Sequence, residues 1–530
     1  MEKLRPNKKR RASYALSNEW SRFCAFLRDS KLVLFISSLF LLLAYGIKLN
    51  YPSVSIDTEV LISQPDRLLN SWLSSGRFGL VYLKKILALV PFNPYVTAFL
   101  MLLALLLTGL LLGYLLYSLT SDRRKGKIAA LVSSAVLLTY PSLSEQFNFM
   151  LQSFEVALAL ALCVISVILV YRWITEDAGI LFLILSVLTA AIGFSCYQSV
   201  NTFYIGVVGG SFLFYCRQEI EKEPGKPARN YLRTAVTLVL TFLISFAIYA
   251  IINKIVIAHY FGPDFSSAYI RDQILWGKQS VLDCIYHIGR YGLTILLGEG
   301  VLYNRLFLVV SIGIMTYVFV QLFKKNTGKW WLFIAAAVFL YTPFLMPTLL
   351  GSAIDARVQL ALPAVVAIGL SFLVSRIEPF KVRVLTTLVG LTFCFYQATV
   401  LSRMLYSDYL RYQSDVSLAN KISYEVGKLG RGEFPDLPVV YVGIHNIPNV
   451  PGLYQESVIG HSFFEWDATT EQGAQIRISG LMDTLGYIYQ RPSIEQIRKG
   501  EQYAQNMPVW PSDGSVALYE DMVVVKLSDK

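Results

Sequence analysis

The sequence has little charge for its length, and it lacks the patterns of a soluble catalytic or metal-binding protein. Only 16% of its 530 residues are charged, against about 25% in an average soluble domain. The six cysteines show no paired spacing, which argues against a disulfide framework or a thiolate metal site. The four histidines share no zinc-ligand spacing, and there is no Walker loop, GxGxxG after a strand or GxSxG elbow. If the chain is an enzyme, its activated substrate should arrive in the membrane.

Long apolar runs dominate the chain instead. Hydrophobic residues make up 55% of it, in runs of roughly 17–25 residues, the length that crosses about 30 Å of hydrocarbon. We therefore predict a mainly α fold, a polytopic transmembrane helical bundle with about eleven spans. The predicted spans are 31–49, 95–118, 128–140, 154–171, 180–196, 199–216, 234–258, 304–322, 331–349, 358–375 and 384–402.

Basic residues are concentrated in the N-terminal tail and in one set of short loops, which explains the net charge of +11 without a nucleic-acid partner. Loops rich in Lys and Arg belong in the cytoplasm. With an odd number of spans, the N-terminus is then cytoplasmic and the C-terminus lies outside. The basic stretches are 8–11, 121–127, 217–233, 324–329 and 375–383.

Three segments are predicted along the chain. Residues 1–30 form a basic cytoplasmic segment, 31–402 the membrane domain, and 403–530 a small extracytoplasmic α/β domain. In the last of these, VVYVG at 439–443 is typical of a strand and 515–527 of a hairpin with its turn near Glu520. An amphipathic helix there should end at a glycine cap, Gly430.

Two predicted outer loops, 50–94 and 259–303, are too long to be plain connections, and loops of that length are usually functional. Both contain helical apolar spacing, such as Leu68, Leu69, Trp72 and Leu73 in the first. We expect interfacial helices there, lying flat on the outer leaflet. Lys84 and Lys85 are expected to extend towards lipid head groups.

The polar chemistry begins with the SIDTE segment, where Asp57 and Glu59 follow the first span. In an extended segment, side chains two residues apart point to the same face. Such a pair can supply a general base for a hydroxyl nucleophile, or hold a divalent cation against phosphate oxygens. The alternative is a solvated acid pair in a loop.

Two arginines are candidates for binding a phosphate group. Arg77 follows Gly76 in a predicted turn, and Arg357 lies at the outer mouth of a span, against the positive-inside trend. A guanidinium binds phosphate through two parallel hydrogen bonds. For Arg357 the alternative is a salt bridge to Asp355 or another acid.

Hydrogen-bonding groups beside aromatic rings cluster at two further predicted outer helix ends. Glu145 and Gln146 lie in the stretch 140–155, and Tyr197 and Gln198 in the stretch 196–201. Together with Trp72 they suit the hydroxyls and ring faces of a sugar. The alternative is that they cap helix ends at the membrane interface.

The order of these elements resembles the serotype-converting type II glucosyltransferase family of bacteria and their phages, which are membrane enzymes of the GT-C class. The matching pieces are SIDTE, the W-x-x-x-G-R element, YPSLSEQF, CYQSVNTFY, DARVQLALP and the late MPVWPSDGSV. The resemblance implies a GT-C-like catalytic domain with an essential acid in the first outer loop, which maps to Asp57 with Glu59 beside it. The extended C-terminal domain departs from the family pattern and leaves the acceptor open.

The resemblance also implies the substrates and partners. The donor would be glucose, or a similar hexose, on undecaprenyl phosphate, and the acceptor a cell-surface polysaccharide such as O-antigen, or a glycolipid. The location would be the bacterial inner membrane. Further expected partners are membrane lipids, a small flippase and a glycosyltransferase that makes the donor. No cofactor is established; a divalent cation remains open.

The resulting hypothesis is an inverting transfer. The lipid phosphate binds near Arg77 and Arg357, and Asp57 deprotonates the acceptor hydroxyl, with Glu59 as the second choice of base. Three alternatives stay open: a lipid-linked sugar transporter or flippase, a polysaccharide polymerase or ligase, and a non-catalytic assembly protein.

Overall fold

The chain is a large helical bundle with a small sheet near its C-terminus. The structure is a computed structural model that describes residues 15–176, 178–223, 225–429, 437–446, 453–470 and 472–529. The basic run at 8–11 and the predicted cap Gly430 lie outside the described residues. A helix overlaps each of the eleven predicted spans, although the helices that begin at Lys31 and Lys329 end before the predicted limits 49 and 349. These helices are α2 (Lys31–Tyr45), α7 (Pro94–Ser118), α8 (Arg123–Thr139), α10 (Met150–Thr175), α11 (Ile180–Cys196), α12 (Val200–Lys222), α13 (Ala228–Phe261), α16 (Leu306–Leu322), α17 (Lys329–Tyr341), α19 (Ala361–Ser375) and α20 (Phe380–Lys428).

Five stretches within the described residues are long and apolar enough to cross a membrane, and four shorter helices are also apolar. Helix α13 illustrates the evidence for a membrane: large apolar side chains such as Val239, Leu243 and Ile251 are about half exposed along its length. Exposing this apolar surface to water would be unfavourable, whereas exposing it to hydrocarbon is not. The chain is thus a multi-pass membrane protein, and the count of about eleven spans stays a prediction. The five stretches are Pro94–Ser118, Met150–Thr175, Ala228–Phe261, Lys329–Leu350 and Phe380–Lys428.

Short helices connect the long ones. Helix α1 (Leu16–Asp29) precedes the first long helix, and α3 (Ile47–Asn50) follows it. The first outer loop folds into α4 (Thr58–Ser63), α5 (Pro65–Ser74) and α6 (Phe78–Ile86), and the second into α14 (Ala268–Gln273) and α15 (Val281–Leu297). The remaining short helices are α9 (Leu143–Asn148) and α18 (Leu345–Leu350).

The helices of the first outer loop are present, but α5 does not present its apolar face to lipid. Leu68, Leu69, Trp72 and Leu73 are all buried against the rest of the protein. The prediction for Lys84 was wrong: its side chain is fully buried, and Nζ lies 2.7 Å from Glu155 on α10. A buried cation requires a charged or hydrogen-bonding partner, and here that partner is on a spanning helix.

The C-terminal part contains a three-stranded sheet in the order β1–β3–β2. Strand β1 (Val439–Val442) pairs in parallel with β3 (Met522–Lys526), and β2 (Val516–Tyr519) pairs antiparallel with β3. The predicted strand and hairpin are therefore confirmed. Helices α21 (Gln475–Thr484) and α22 (Ile494–Ala504) complete this part.

One continuous helix links the membrane part to the C-terminal part. Helix α20 is 49 residues long and runs through residue 403, where the sequence placed a domain boundary. Its apolar first half belongs to the bundle. Its second half carries buried charged groups, among them Asp408 and Arg411, whose carboxylate and guanidinium lie 2.8 Å apart.

Candidate active site

A cavity of about 450 Å³, lined by several charged and amide side chains among apolar ones, lies where the loop segments 50–94 and 259–303 meet the helix ends. Its wall comes from the first outer loop, the start of α10, the turn between α11 and α12, and the segments 272–275 and 346–358. Elements that are distant in the sequence thus contribute to one chamber. The predicted residues on its wall are Asp57, Trp72, Arg77, Tyr197, Gln198 and Arg357.

Asp57 is the acidic group of the first outer loop that reaches the cavity. Its backbone is left-handed, with φ of 68°, and it immediately precedes α4. Aspartate tolerates this conformation better than most residues do. Its side chain is 40% exposed, and Oδ1 accepts a hydrogen bond of 2.8 Å from Nη1 of Arg477. The carboxylate is therefore both held and accessible.

Glu59 does not share this position, so the prediction of an extended acid pair on one face was wrong. The turn at Asp57 starts a helix, and residues two apart in a helix point in different directions. Glu59 is fully buried, with Oε1 2.9 Å from Nη1 of Arg477, and burial raises its pKa to about 7 despite that cation. Its Oε2 has no hydrogen-bond partner among the described residues.

Arg77 lies on the cavity wall, oriented by neutral groups. Gly76, with φ of 82°, makes the turn that places Arg77 at the start of α6. Its guanidinium donates to Gln198 at 3.3 Å and to Gln152 at 3.4 Å, and lies 4.8 Å from the ring centre of Tyr197. Within the described parts of the chain, no carboxylate lies within 4.0 Å of it. Its charge is thus available to an anion.

Arg357 lies on the same wall, but it has an acidic partner. Its Nη2 is 3.0 Å from Oδ2 of Asp355, and its guanidinium lies 5.2 Å from the ring centre of Phe149. The salt bridge that the sequence left open is therefore present. The pair is partly exposed, so that a ligand on the cavity wall can still contact the guanidinium.

The structure does not place Glu145 and Gln146 on the cavity. Both are fully buried on α9. The Glu145 carboxylate accepts hydrogen bonds from the backbone N–H groups of Val458, at 3.1 Å, and Ile459, at 3.4 Å, and burial raises its pKa to about 7. Glu145 therefore anchors a C-terminal segment, while the side chain of Gln146 has no hydrogen-bond partner among the described residues.

Sequence reasoning missed Arg477, the residue that joins Asp57 and Glu59. It lies on α21, and its Nε also donates to Asp467 at 2.6 Å. Three carboxylates surround this one guanidinium, and their charges raise its pKa above the ordinary value. The only hint in the sequence was an acid pair with no nearby cation.

No group of three or more His, Cys, Asp or Glu side chains in the described residues is arranged to hold a metal ion. Between Asp57 and Glu59, the position of a cation is taken by the Arg477 guanidinium. The divalent cation that the sequence left open remains a prediction.

These features define a class: a multi-pass membrane protein whose charged groups converge in one cavity at the ends of its helices. The chain belongs to the glucosyl transferase GtrII family, whose model matches residues 46–375, more than half of the sequence. It is therefore a membrane glycosyltransferase. The resemblance read from the motifs is confirmed. No curated protein matches the sequence.

Two solved structures are similar at low identity, and both are oligosaccharyltransferases of Archaeoglobus fulgidus. The apo enzyme is 13% identical, with a TM-score of 0.37. The alignment covers 87% of this chain and 69% of the apo enzyme's chain. The AglB enzyme in complex with an inhibitory peptide and a dolichol-phosphate is 12% identical, with a TM-score of 0.34. The alignment covers 89% of this chain and 69% of AglB. Neither is close enough to assign residues in this cavity.

Proposed function

We propose that this enzyme transfers a hexose, in the first place glucose, from a polyprenyl-phosphate donor to a cell-surface polysaccharide. The observation that carries the proposal is the pairing of an accessible carboxylate, Asp57, with an unneutralised guanidinium, Arg77, on one cavity wall. A transfer of this type needs a base for the acceptor and a cation for the departing phosphate.

Asp57 is the general base in this proposal. It takes the proton from the acceptor hydroxyl while that oxygen attacks the anomeric carbon. The bond from that carbon to the phosphate oxygen breaks, and the electron pair leaves with the polyprenyl phosphate. The attack is in line, so the configuration at the anomeric carbon inverts. Glu59, the second choice from sequence, is fully buried and does not line the cavity, which favours Asp57.

Arg77 binds the phosphate before and after transfer. Its partners Gln152 and Gln198 are neutral, so the guanidinium keeps its full charge for an anion. A charge-assisted hydrogen bond is roughly twice as strong as a neutral one. Arg357 supplies a second, weaker contact, because Asp355 already offsets its charge.

The sugar binds between aromatic and amide groups on the same wall. Trp72 and Tyr197 offer ring faces, and Gln198 offers an amide beside them. A cavity of about 450 Å³ can hold a hexose and the reacting end of an acceptor, since pockets for small ligands span about 300–1,000 Å³.

We place the cavity on the extracytoplasmic side of a bacterial inner membrane, with the N-terminus in the cytoplasm. What supports this orientation is the concentration of basic residues in the loops at the other helix ends. The C-terminal part contacts the first outer loop through Arg477, and so belongs on the same side as the cavity.

The test is reconstitution. The purified protein in lipid nanodiscs is given synthetic undecaprenyl phosphate–glucose and a short acceptor glycan, and products are analysed by mass spectrometry and NMR. We expect a glucosylated acceptor with inverted configuration and release of undecaprenyl phosphate. Retained configuration, or lipid movement across the membrane with no new glycosidic bond, would contradict the proposal.

A further inference from the structure

Among the described residues of the C-terminal part, Arg477 is the one whose side chain bonds to the proposed base. Arg477 on α21 reaches Asp57 at 2.8 Å and Glu59 at 2.9 Å through the same nitrogen, Nη1, and Asp467 at 2.6 Å through Nε. The acids of the first outer loop are 420 and 418 residues away in sequence.

Charge explains why a cation is needed at this point. Two carboxylates two residues apart repel each other, and one of them is fully buried. A buried carboxylate without a partner is costly enough to favour its protonated form. Arginine suits the position because its planar fork carries several donors and keeps its charge when buried, which lysine does not do equally well.

Close packing between the two elements is a second, independent observation. Gly480 lies one turn after Arg477 on α21, directly over Glu59. A Cβ atom on Gly480 would lie 2.6 Å from Cγ of Glu59, closer than packed atoms approach. The absence of a side chain there lets α21 come close enough to α4 for Arg477 to reach both acids.

We infer that Arg477 is a positioning residue for the transfer reaction. It fixes the Asp57 carboxylate at the cavity wall, so the C-terminal part supports the active site without lining the cavity. One oxygen of Asp57 is held by Arg477, and the other, Oδ2, has no hydrogen-bond partner among the described residues. This leaves Oδ2 to accept the proton of the acceptor hydroxyl. The inference rests on the proposed role of Asp57 as base.

The experiment compares Arg477→Met with Arg491→Met in the reconstituted full-length protein. Arg491 forms an ion pair with Asp483 inside the C-terminal part and does not line the cavity, so it controls for loss of a surface arginine. For Arg477→Met we expect kcat to fall about 10–100-fold, the scale of a small misplacement of a reacting group. KM for the lipid donor should change little, and Arg491→Met should behave like wild type.

The pH profile separates positioning from simple loss of folded protein. Without Arg477, the buried carboxyl of Glu59 loses the cation that lowers its pKa, so the loss of kcat that follows protonation beside Asp57 should begin at higher pH. Unfolding of a fraction of the molecules would lower kcat equally at every pH. Arg477→Lys should recover part of kcat, because it restores the charge but not the fork.

Gly480→Ala offers a variant that removes no charge. The added methyl group should displace Glu59 and α21, and lower kcat in the same direction as Arg477→Met. If Asp57→Asn abolishes transfer while Arg477→Met and Gly480→Ala keep wild-type kcat and pH profile, the positioning role is overturned and the base survives. If Asp57→Asn itself is fully active, the proposed function fails first.

Discussion

The region that matches the family and the region that follows it contribute to the site in different ways. Every described residue that lines the cavity lies between Asp57 and Val358, inside the matched range 46–375. The C-terminal part supplies no described residue to that wall. It instead supplies Arg477, which holds the acid on the wall.

The proposed substrate-contacting wall and the side chain that holds its acid thus come from separate parts of this chain. Further buried polar contacts join the two regions, and two of them involve charged side chains of the matched region. Glu145 in the matched region holds the backbone of Val458 and Ile459. Lys48, on the short helix α3, has its Nζ 3.8 Å from Oδ2 of Asp408 on α20. The C-terminal part is thus fastened beside the cavity by buried polar contacts.

The largest expected effect is the loss of kcat when the acid on the cavity wall, Asp57, is replaced. Asp57→Asn should lower kcat by about 10²–10⁴-fold, the usual contribution of a general base, because the amide cannot accept the acceptor's proton. The matched control is Asp66→Asn, an exposed acid on α5 in the same loop, which should stay active. Initial rates with the synthetic donor measure both; equal loss in the two variants would contradict the assignment.

The next largest effect concerns an ion pair wholly within the matched region. Lys84→Met should lower the free energy of unfolding by about 3–5 kcal/mol, since it leaves Glu155 buried without its partner. Thermal unfolding in detergent measures this loss. Adding Glu155→Gln should recover part of it, and Lys85→Met, at an exposed neighbour, should cost little. Unlike Arg477→Met, Lys84→Met should not move the pH profile of the folded enzyme; a shift there would weaken the distinction between the two ion pairs.

The sequence allowed six residues of the cavity wall to be predicted, because these are charged, amide or aromatic residues near the ends of apolar helices. Asp57, Trp72, Arg77, Tyr197, Gln198 and Arg357 were found in this way. That rule cannot tell a residue that faces the cavity from one that anchors another segment. Glu145 and Gln146 satisfy the same rule and are buried instead.

The supporting contacts could not be predicted, because they depend on tertiary pairings over long sequence separations. Arg477 lies in a helix that carries no motif, more than 400 residues from Asp57 and Glu59. The sequence predicted that Lys84 extends towards lipid head groups. Only the fold shows that α6 faces Glu155. A carboxylate within a spanning helix does require a partner, and that signal in Glu155 could have suggested Lys84.

A smaller effect, on the free energy of unfolding, is expected from Glu59→Gln. It distinguishes the buried Glu59 from the accessible Asp57. Burial raises the pKa of Glu59 to about 7 from its ordinary 4.5. The folded state therefore binds a proton more tightly than the unfolded state, so wild-type stability falls as pH rises from about 4.5 to 7. The variant lacks this group and should gain up to about 3 kcal/mol over wild type above pH 7.

Unfolding titrations at pH 5 and pH 8 measure the difference, with Glu495→Gln on the exposed face of α22 as the control. Activity of Glu59→Gln should fall far less than that of Asp57→Asn. A loss of transfer equal to that of Asp57→Asn would make Glu59 the base and reverse the comparison.

The smallest expected effect is on donor binding. Arg77→Gln should raise KM for the polyprenyl-phosphate donor by about 10–100-fold, the value of one or two hydrogen bonds to a charged group. Arg67→Gln, at an exposed arginine on α5, should leave KM unchanged. A fall in kcat at unchanged KM would instead place Arg77 with the groups that act only in the transition state.

The most direct measurement is a cryo-EM structure of the enzyme with a non-transferable phosphonate analogue of undecaprenyl phosphate–glucose. The account predicts the phosphonate against the Arg77 guanidinium, the hexose between Trp72 and Tyr197, and the free oxygen of Asp57 facing the anomeric carbon across the space for an acceptor hydroxyl. An analogue bound elsewhere on the bundle, with Asp57 facing an empty cavity, would contradict it.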